Sequence, residues 1–396
     1  MNSEWTYRPL GELVSFASGG TPSKKRDDYW GGTIPWISAK TLKTENIDTS
    51  DLFITEEGLK AGSKIAPKGS ILLLTRGSGL FNGIPIARVE KDVAFNQDIK
   101  CLDSYGEVEN EFIFYWLLSQ KDYLMAKVGV TGIGAGKFDL DFLQKLMIPI
   151  PSERERKSIV GFASSISEKI RCNAKVNDNL EQQAVALFKS WFVDFSLFGG
   201  TVPENWEDTT LENITTLITR GIAPKYSDNS DQTVVNQKCI RNHTIDLSLA
   251  RTHTPKAINE KWLKFGDLLI NSTGDGTLGR VAQVWFAPKA LTVDSHVTIV
   301  RPAREELIFY IGLWGILHEK EIESLHTGST GQTELPRDRV KKLKLLLPDN
   351  ISLSRFNSII APMASTIISN QEENQKLASL RDTLLPKLMS GEIDVS

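Results

Sequence analysis

The sequence has few cysteines and no long apolar stretch, and each shortage excludes a class of protein. Its 3 cysteines among 396 residues are Cys101, Cys172 and Cys239, which form no CxxC motif and no even-numbered framework. A disulfide-stabilised secreted domain is therefore disfavoured, and a reduced, cytoplasmic location is expected. The N-terminus is polar and lacks the apolar core of a signal peptide. No run approaches the roughly 18 apolar residues of a membrane-spanning helix, so no membrane contact is expected.

Catalytic and metal-binding patterns are missing as well. The 5 histidines form neither HExxH nor HxH, so a metal site would have to be assembled from distant residues. Gly274–Gly279 matches GxGxxG, but the segment after it alternates like a strand where a dinucleotide fold needs a helix. The chain has no GxSxG, no Pro-Pro of an adenine methyltransferase loop and no nuclease-like acidic cluster. We therefore expect a binding protein that holds no metal or cofactor of its own.

The charge balance also limits the possible partners. Lys and Arg number 46 and Asp and Glu number 49, which gives a net charge of −3. This argues against a protein that binds polyanions through bulk charge alone. It remains compatible with a DNA reader whose basic residues lie on one face, or with one that works inside a larger complex.

The chain is an internal duplication. Gly69 and Gly266 each precede a strand-like run, and they lie 197 residues apart. Pro151 and Pro348 close two further strand-like runs at the same spacing, and each is followed by a helical pattern. A fixed offset of this kind indicates two copies of one unit, each a mixed α/β segment followed by one long helix.

Both helical patterns repeat every seven residues, which predicts two long helices that pair through a coiled-coil seam. Roughly 40 residues make a helix of about 60 Å, and the connectivity favours an antiparallel pair with a pseudo-twofold axis. The seam of the first helix consists of Ile159, Ile166, Asn173, Asn177, Leu180 and Leu187. The seam of the second consists of Phe356, Met363, Asn370, Asn374, Leu377 and Leu384.

Four asparagines fall in the middle of this predicted seam. Asn173 and Asn177 correspond to Asn370 and Asn374 at the spacing of 197 residues. A buried Asn layer can fix the register of paired helices at some cost in stability. The alternative is that these residues form a solvated stripe, and the sequence leaves both possibilities open.

The expected fold class is α/β (α+β), with two globular domains and two spacer helices. The boundaries predicted are 1–151 for the first globular domain, 152–198 for the first helix, 199–348 for the second domain and 349–396 for the second helix. Within the domains we predict amphipathic helices over Glu109–Val128 and Glu305–Leu325.

Polar, glycine-rich loops follow several predicted strands, and they carry residue types that contact DNA. Arg, Lys, Asn and Gln read base edges, while Ser and Thr bind phosphates. Such loops are also ordinary surface turns. The candidates in the first half are Thr21, Ser23, Lys24, Lys25, Arg26, Arg76, Ser78, Asn82, Asn96, Gln97 and Lys137. The candidates in the second half are Arg220, Lys225, Tyr226, Thr273, Arg280, Ser295, His296, Ser329 and Gln332.

The order of these motifs, together with the duplication, resembles the specificity subunits of type I restriction–modification systems. The motifs that carry the resemblance are Gly19–Lys24 with Ile34–Ser38, Phe95–Asp98, Ile148–Pro151, Leu187–Phe195 with Pro203–Trp206, and Leu385–Ile393. The resemblance implies two target recognition domains that each read half of a bipartite site in double-stranded DNA. It also implies helices that set the gap, two methyltransferase (modification) subunits as partners, and restriction/translocase subunits. S-adenosylmethionine and ATP/Mg would serve those partners, and this chain would be non-catalytic.

The second half departs from the pattern, because Arg220–Lys225 lacks the Gly-Gly-Thr-Pro-Ser sequence and Asp294–His296 replaces Asn-Gln-Asp. We therefore expect the two half-sites to differ. Two other functions are compatible with the residues. One is a duplicated protein-interaction scaffold, and the other is a self-sufficient DNA-modifying enzyme, against which the missing catalytic motifs count.

Overall fold

The structure is a computed structural model that describes residues 5–132, 134–274, 276–328 and 333–394. Its contacts divide the chain into two compact units. The first unit holds the described residues up to Arg171 and those from Asn374 onward, and the second spans Cys172–Glu373. Each unit therefore combines one globular segment with about half of each long helix. The boundaries predicted at residues 151, 198 and 348 divide the chain differently, because each lies between a globular segment and a long helix. These boundaries stay a prediction.

The globular part of the first unit is built from small, mostly antiparallel sheets around a main core and a smaller apolar cluster at Trp36, Ile54 and Ala94. Its five-stranded sheet has the order Val14–Ser18, Ile99–Ser104, Ile71–Leu74, Ile86–Val89, Asn46–Ile47. A four-stranded sheet has the order Phe53–Ile54, Trp30–Ile37, Val93–Phe95, Lys64–Ala66. The smaller sheets are Gly129–Val130, Gly136–Lys137 and Arg76–Gly77, and Thr6–Pro9 with Met147–Ile150. The short helices are Leu10–Leu13, Glu56–Gly62, Asn110–Ser119, Lys121–Met125 and Leu140–Gln144.

The second unit repeats this plan with fewer strands among its described residues. Its four-stranded sheet has the order Thr215–Arg220, Val297–Pro302, Leu268–Asn271, Val281–Gln283. A three-stranded sheet has the order Arg251–Thr252, Thr233–Val235, Leu291–Val293. The pairs are Glu207–Thr210 with Lys344–Leu347, and Ile240–Arg241 with Thr244–Ile245. The short helices are Ile308–Leu317, Glu319–Ser324 and Arg337–Lys341.

The prediction of one continuous helix in each globular segment is wrong. Gln120 interrupts the first at φ −96° and ψ 6°, and His318 interrupts the second at φ −101° and ψ 14°. The part before each break is buried on nearly every side, whereas the part after it is mostly polar. A break lets the apolar turn enter the core and directs the polar turn along the surface.

The two long helices are as predicted, Glu153–Phe192 and Asn350–Met389, with 40 residues each. Each begins at a carboxylate that a tryptophan holds. Trp5 Nε1 donates to Glu155 at 3.1 Å, and Trp206 Nε1 donates to Asp349 at 2.8 Å. Glu155 and Ser152 form a capping box, in which the N–H of Ser152 donates to Glu155 Oε2 at 2.9 Å and the N–H of Glu155 donates to Ser152 Oγ at 3.3 Å. The duplication therefore extends to the way in which each helix starts.

In each unit the two helix segments run antiparallel. In the first, Arg381 donates to Ser167 at 3.2 Å and Asn374 donates to the carbonyl of Ile170 at 3.4 Å. The residue numbers of the second helix therefore decrease where those of the first increase. The outer ends of the helices join the cores of the globular segments. The first core takes in Ile159, Ala163, Leu385, Leu388 and Met389, and the second takes in Ala184, Phe188, Trp191, Phe356 and Ile360.

Candidate functional site

The polar loops of the two units stand on the same backbone frame, at the end of two parallel strands. In the first unit the N–H of Asn96 donates to the carbonyl of Ile37 on the neighbouring parallel strand at 2.9 Å. In the second unit the N–H of Asp294 donates to the carbonyl of Val235, also at 2.9 Å. The loops that follow these strands therefore leave the sheets at equivalent places.

A glycine turn packs against each of these strand ends. A Cβ atom on Gly19 would lie 2.0 Å from the carbonyl oxygen of Phe95, and one on Gly221 would lie 1.9 Å from that of Val293. Only glycine allows two backbones to approach so closely. Gly19 and Gly221 are therefore equivalent, and both turns are fixed by packing.

This equivalence corrects the alignment taken from the sequence, which set the loop at Gly19 beside Arg220. Because Gly19 matches Gly221, Arg220 matches Ser18 instead. In the first unit Ser18 accepts a hydrogen bond from Lys100 on the adjacent strand. Both units therefore place a cation beside the glycine turn. Arg220 lies on the strand that leads into the turn, whereas Lys100 lies on the strand paired with it.

The loop after each strand closes on a buried side chain. The N–H of Asp98 donates to Asn96 Oδ1 at 3.2 Å, and the N–H of His296 donates to Asp294 Oδ1 at 2.9 Å. Asn96 is 6% exposed and Asp294 is 4% exposed. Burial raises the pKa of Asp294, although the hydrogen bond from His296 opposes the rise. Asn96 therefore shapes the loop from within, and the neighbouring Gln97 is exposed.

In the first unit, further hydrogen bonds bring two other segments to this loop. The N–H of Thr75 donates to the carbonyl of Asp98 at 2.8 Å, and the N–H of Phe138 donates to the carbonyl of Thr75 at 2.9 Å. Arg76 and Lys137 then face each other as paired residues of two antiparallel strands. Both side chains are exposed.

The second unit repeats these bonds with other side chains. The N–H of Ser272 donates to the carbonyl of His296 at 2.8 Å, and the N–H of Leu335 donates to that of Ser272 at 2.9 Å. Thr273 and Glu334 form the matching antiparallel bridge. The two units thus share these backbone hydrogen bonds. Where the first unit has the cations Arg76 and Lys137, the second has the hydroxyl of Thr273 and the carboxylate of Glu334.

Of the other first-half candidates, Thr21 joins this edge, because its hydroxyl donates to Gln97 Oε1 at 2.7 Å. Ser78 is exposed at the start of a short 3₁₀ turn that ends at Asn82. The structure therefore brings Thr21 and Gln97 into direct contact and ties their loop to the strand that bears Arg76.

Residues 23–26 are all exposed, directly after the glycine turn. Arg26 is held by Asp28 through two bonds of 2.6 and 2.8 Å, and this hydrogen bonding raises the pKa of the guanidinium. Lys24 and Lys25 have no carboxylate partner among the described residues. The uncompensated charge of this segment therefore resides on the two lysines.

In the second half, Thr273 and His296 meet, with 2.7 Å between the hydroxyl and Nδ1. The same hydroxyl lies 3.2 Å from Oε1 of Gln237, a residue that the sequence analysis missed. Gln237 lies two residues after the strand Thr233–Val235, which matches Trp30–Ile37, so the internal alignment could have shown it. Arg280 and Ser295 are half-buried.

Arg220 is held by Glu334 at 2.6 Å, and it also donates to the carbonyl of Leu335 at 3.0 Å. Arg220 and Glu334 line a cleft of about 270 Å³ together with Lys261 and Arg337. Glu334, Lys261 and Arg337 are not among the residues predicted from the sequence.

Four candidates of the second half remain. Lys225 and Tyr226 are exposed, and the guanidinium of Arg251 stacks 3.7 Å from the centre of the Tyr226 ring. Ser329 and Gln332 lie outside the described residues. A DNA contact by any of these four stays a prediction.

The two seam asparagines of the first long helix are buried in a polar layer, which excludes a solvated stripe there, whereas Asn370 and Asn374 of the second helix are half-buried. Asn173 is 3% exposed and Asn177 is 8% exposed. Asn370 donates to Asn177 Oδ1 at 2.8 Å, and Asn177 donates to the carbonyl of Ile367 at 3.3 Å. Asn173 contributes to the same layer by donating to Glu373 at 2.7 Å.

The rest of the predicted seam is buried unevenly. Ile159, Ile166 and Phe356 are buried, whereas other predicted seam residues are only half-buried: Leu180, Leu187, Met363, Leu377 and Leu384. The buried row moves to Phe188 and Leu385 near the C-terminal ends of the helices. An α-helix drifts by about 20° per heptad from a strict seven-residue repeat, which accounts for the shift.

One seam position of the second helix holds a charge. Arg381 is 6% exposed and binds both oxygens of Glu45, at 2.5 and 3.0 Å, while Lys121 lies 3.2 Å from the same carboxylate. Burial alone would raise the pKa of Glu45, but the charges of Lys121 and Arg381 outweigh it and lower that pKa. This cluster ties the helix to the globular part of the first unit.

No group of three or more His, Cys, Asp and Glu residues in the described ranges is placed to hold a metal ion. None of the helices described has the length and apolarity needed to cross a bilayer. What the loop edges do offer is exposed cations, amides, hydroxyls and one carboxylate on rigid strand ends. These groups form hydrogen bonds with the edges of bases and with phosphates.

Residues 2–182 match the family model described as the type I restriction modification DNA specificity domain. The specificity subunit of the type I restriction enzyme MjaIX from Methanocaldococcus jannaschii is 27% identical, over 99% of this chain and 94% of that one. The first part of the chain thus matches the family's domain model, and almost the whole chain is similar to a type I specificity subunit. The EcoR124I/EcoR124II specificity subunit of Escherichia coli is 32% identical over 40% of this chain and 39% of its own length.

The fold of the chain is also that of a solved structure. The crystal structure of the type I restriction–modification S subunit from M. genitalium matches with a TM-score of 0.56 and 17% identity, over 98% of this chain and 96% of that one. The predicted resemblance to type I specificity subunits and the mixed α/β class with two long helices are therefore confirmed. The roles of the individual loop residues stay predictions.

Proposed function

We propose that this chain supplies the DNA specificity of a type I restriction–modification complex, with each unit reading one half of a bipartite site. One observation carries the proposal. The two units share a frame of backbone hydrogen bonds, while the exposed side chains on it differ. A shared frame gives both loop edges the same shape, and different side chains let them select different bases.

The long helices suit the role of a spacer. Each has 40 residues, which corresponds to about 60 Å. Half-sites on one side of DNA lie about 35 Å apart for each helical turn. A buried polar layer that fixes the register of the helices would keep such a spacing constant.

The chemistry would belong to partners. Two methyltransferase subunits would dock on the helices and methylate adenine with S-adenosylmethionine. Restriction/translocase subunits would use ATP and Mg to move and cut DNA. This division agrees with the motifs of the chain, which include no methyltransferase or nuclease signature. The modest net charge is compatible with DNA binding if the partners add phosphate contacts.

The test is to map adenine methylation in duplex DNA incubated with this chain, its methyltransferase subunit and S-adenosylmethionine. We expect one two-part motif with a fixed gap, and no methylation by the chain alone. Exchange of residues 1–151 for the same domain of a relative should change only one half of the motif. Methylation without sequence preference, or a change in both halves, would contradict the proposal.

A further inference from the structure

Lys137 and Glu334 occupy the same position in the two units but carry opposite charges. Lys137 precedes Phe138, whose N–H bonds the carbonyl of Thr75, and Glu334 precedes Leu335, whose N–H bonds that of Ser272, both at 2.9 Å. The positions are thus matched by backbone geometry as well as by the spacing of 197 residues.

The surroundings of Lys137 are cationic. Its strand partner is Arg76, and both side chains are exposed. Neither has a carboxylate partner among the described residues. Two adjacent cations without a protein acceptor are arranged to meet acceptors on a ligand.

The surroundings of Glu334 are different. Its strand partner is the uncharged Thr273. Arg220 binds Oε1 at 2.6 Å, which orients the carboxylate, while the side chain remains 57% exposed. Within the described part of the chain no donor binds Oε2, so this oxygen can accept a hydrogen bond from a ligand.

These chemistries select different bases in the major groove. Guanine presents two acceptors, N7 and O6, which Arg and Lys bind. Cytosine presents an amino donor, N4, which a carboxylate accepts. Adenine also presents an amino donor beside its N7 acceptor.

We propose that residues 137 and 334 determine how the two half-sites differ. Lys137, with Arg76, selects guanine in the half-site of the first unit. Glu334 selects a base with an amino donor, cytosine above all, in the half-site of the second. This inference rests on the proposed function and assigns the base class to one position of each reader.

The test uses the full chain with its methyltransferase subunit on a duplex library with randomised half-sites. Glu334→Lys should replace the amino-donor base by guanine at one position of one half-site, with a preference change of roughly 5- to 150-fold. Lys137→Glu should produce the reverse change in the other half-site. Glu334→Gln, which keeps an acceptor oxygen and adds a donor, should relax the preference without reversing it.

Matched controls are Lys145→Glu and Glu305→Lys, which make the same charge changes at exposed positions away from these edges. They should leave the motif unchanged. A variant that methylates normally with the wild-type motif would overturn the inference, as would a change in both halves. If Glu334→Lys fails to fold by circular dichroism, Lys137→Glu decides the outcome. If the wild type yields no two-part motif, the proposed function fails instead, which separates the two hypotheses.

Discussion

Asn96 and Asp294 hold equivalent loops by the same hydrogen bond, one through an amide and the other through a buried carboxylate. The residue two positions later also differs, and it suits the amide in the first loop and the carboxylate in the second. Asn96 donates to Asp98 at 3.2 Å, whereas Asp294 lies beside His296, whose charge favours the ionised form. A carboxylate is therefore compatible with the second loop and would be repelled in the first.

We expect Asp294→Asn to stabilise the second unit at neutral pH. Burial raises the pKa of Asp294, so the unfolded chain ionises more readily than the folded one. Stability is then lost as pH rises through the raised pKa. The gain from the amide should be absent at acid pH and should reach roughly 1 kcal/mol at pH 7. Urea unfolding at pH values from the ordinary pKa of 3.8 up to 7 measures it.

The reverse change, Asn96→Asp, is the matched control in the first unit. It places a carboxylate beside Asp98 and should destabilise the loop, while the double change with Asp98→His should recover part of the loss. Equal effects of Asp294→Asn at every pH would show that ionisation of Asp294 does not limit stability.

The salt dependence of DNA binding should reside in Lys24 and Lys25 more than in Arg26. Each phosphate contact contributes about 0.9 to the slope of log affinity against log salt concentration. Lys24→Ala with Lys25→Ala should therefore reduce the slope by up to about 2. Arg26→Ala should change it less, because Asp28 already neutralises that charge. Fluorescence anisotropy with the reconstituted methyltransferase over 50–200 mM salt, a range of about fourfold, gives the slopes. A larger effect of Arg26 would contradict this assignment.

The pair of Glu45 and Arg381 should make the first unit sensitive to acid. Because the pKa of Glu45 is lowered in the folded state, the pair contributes stability above the ordinary value of 4.5 and loses it as pH falls through the lowered pKa. Glu45→Gln leaves Arg381 buried without its charge partner and should cost roughly 3 kcal/mol at pH 7. The cost should shrink as pH falls below 4.5 and through the lowered pKa of Glu45.

Replacing both members of this pair by leucine is the control, because it removes the charges together and should cost less than Glu45→Gln alone. Chemical unfolding followed by tryptophan fluorescence compares the variants. A cost of Glu45→Gln that does not vary with pH would show that packing, not charge, holds the helix there.

The sequence predicted elements that depend on local pattern and failed where contacts across the chain decide. The seven-residue repeat gave both long helices, because an apolar stripe of that length has one regular solution. The partner of Arg381 could not be predicted, since Glu45 lies far away in the chain. The alignment of Gly19 was wrong by one residue, because only the approach to the carbonyl of Phe95 shows which glycine is required. Glu334 was not predicted as a site residue, because only the structure shows that it occupies the position of Lys137.

The hydrogen bond between Asn177 and Asn370 should fix the register of the helices at a cost in stability. Asn177→Ala leaves the Asn370 amide without its acceptor and should destabilise the chain by about 1–3 kcal/mol. Asn177→Leu with Asn370→Leu removes both polar groups and should be neutral or stabilising, because apolar packing replaces a buried polar pair. A double-mutant cycle from urea unfolding gives the coupling energy. With the methyltransferase present, the wild type should methylate sites of one gap length, while the double leucine variant should accept neighbouring gap lengths as well. A leucine pair that unfolds earlier than the wild type and keeps a single gap length would show that the asparagines serve stability and not register.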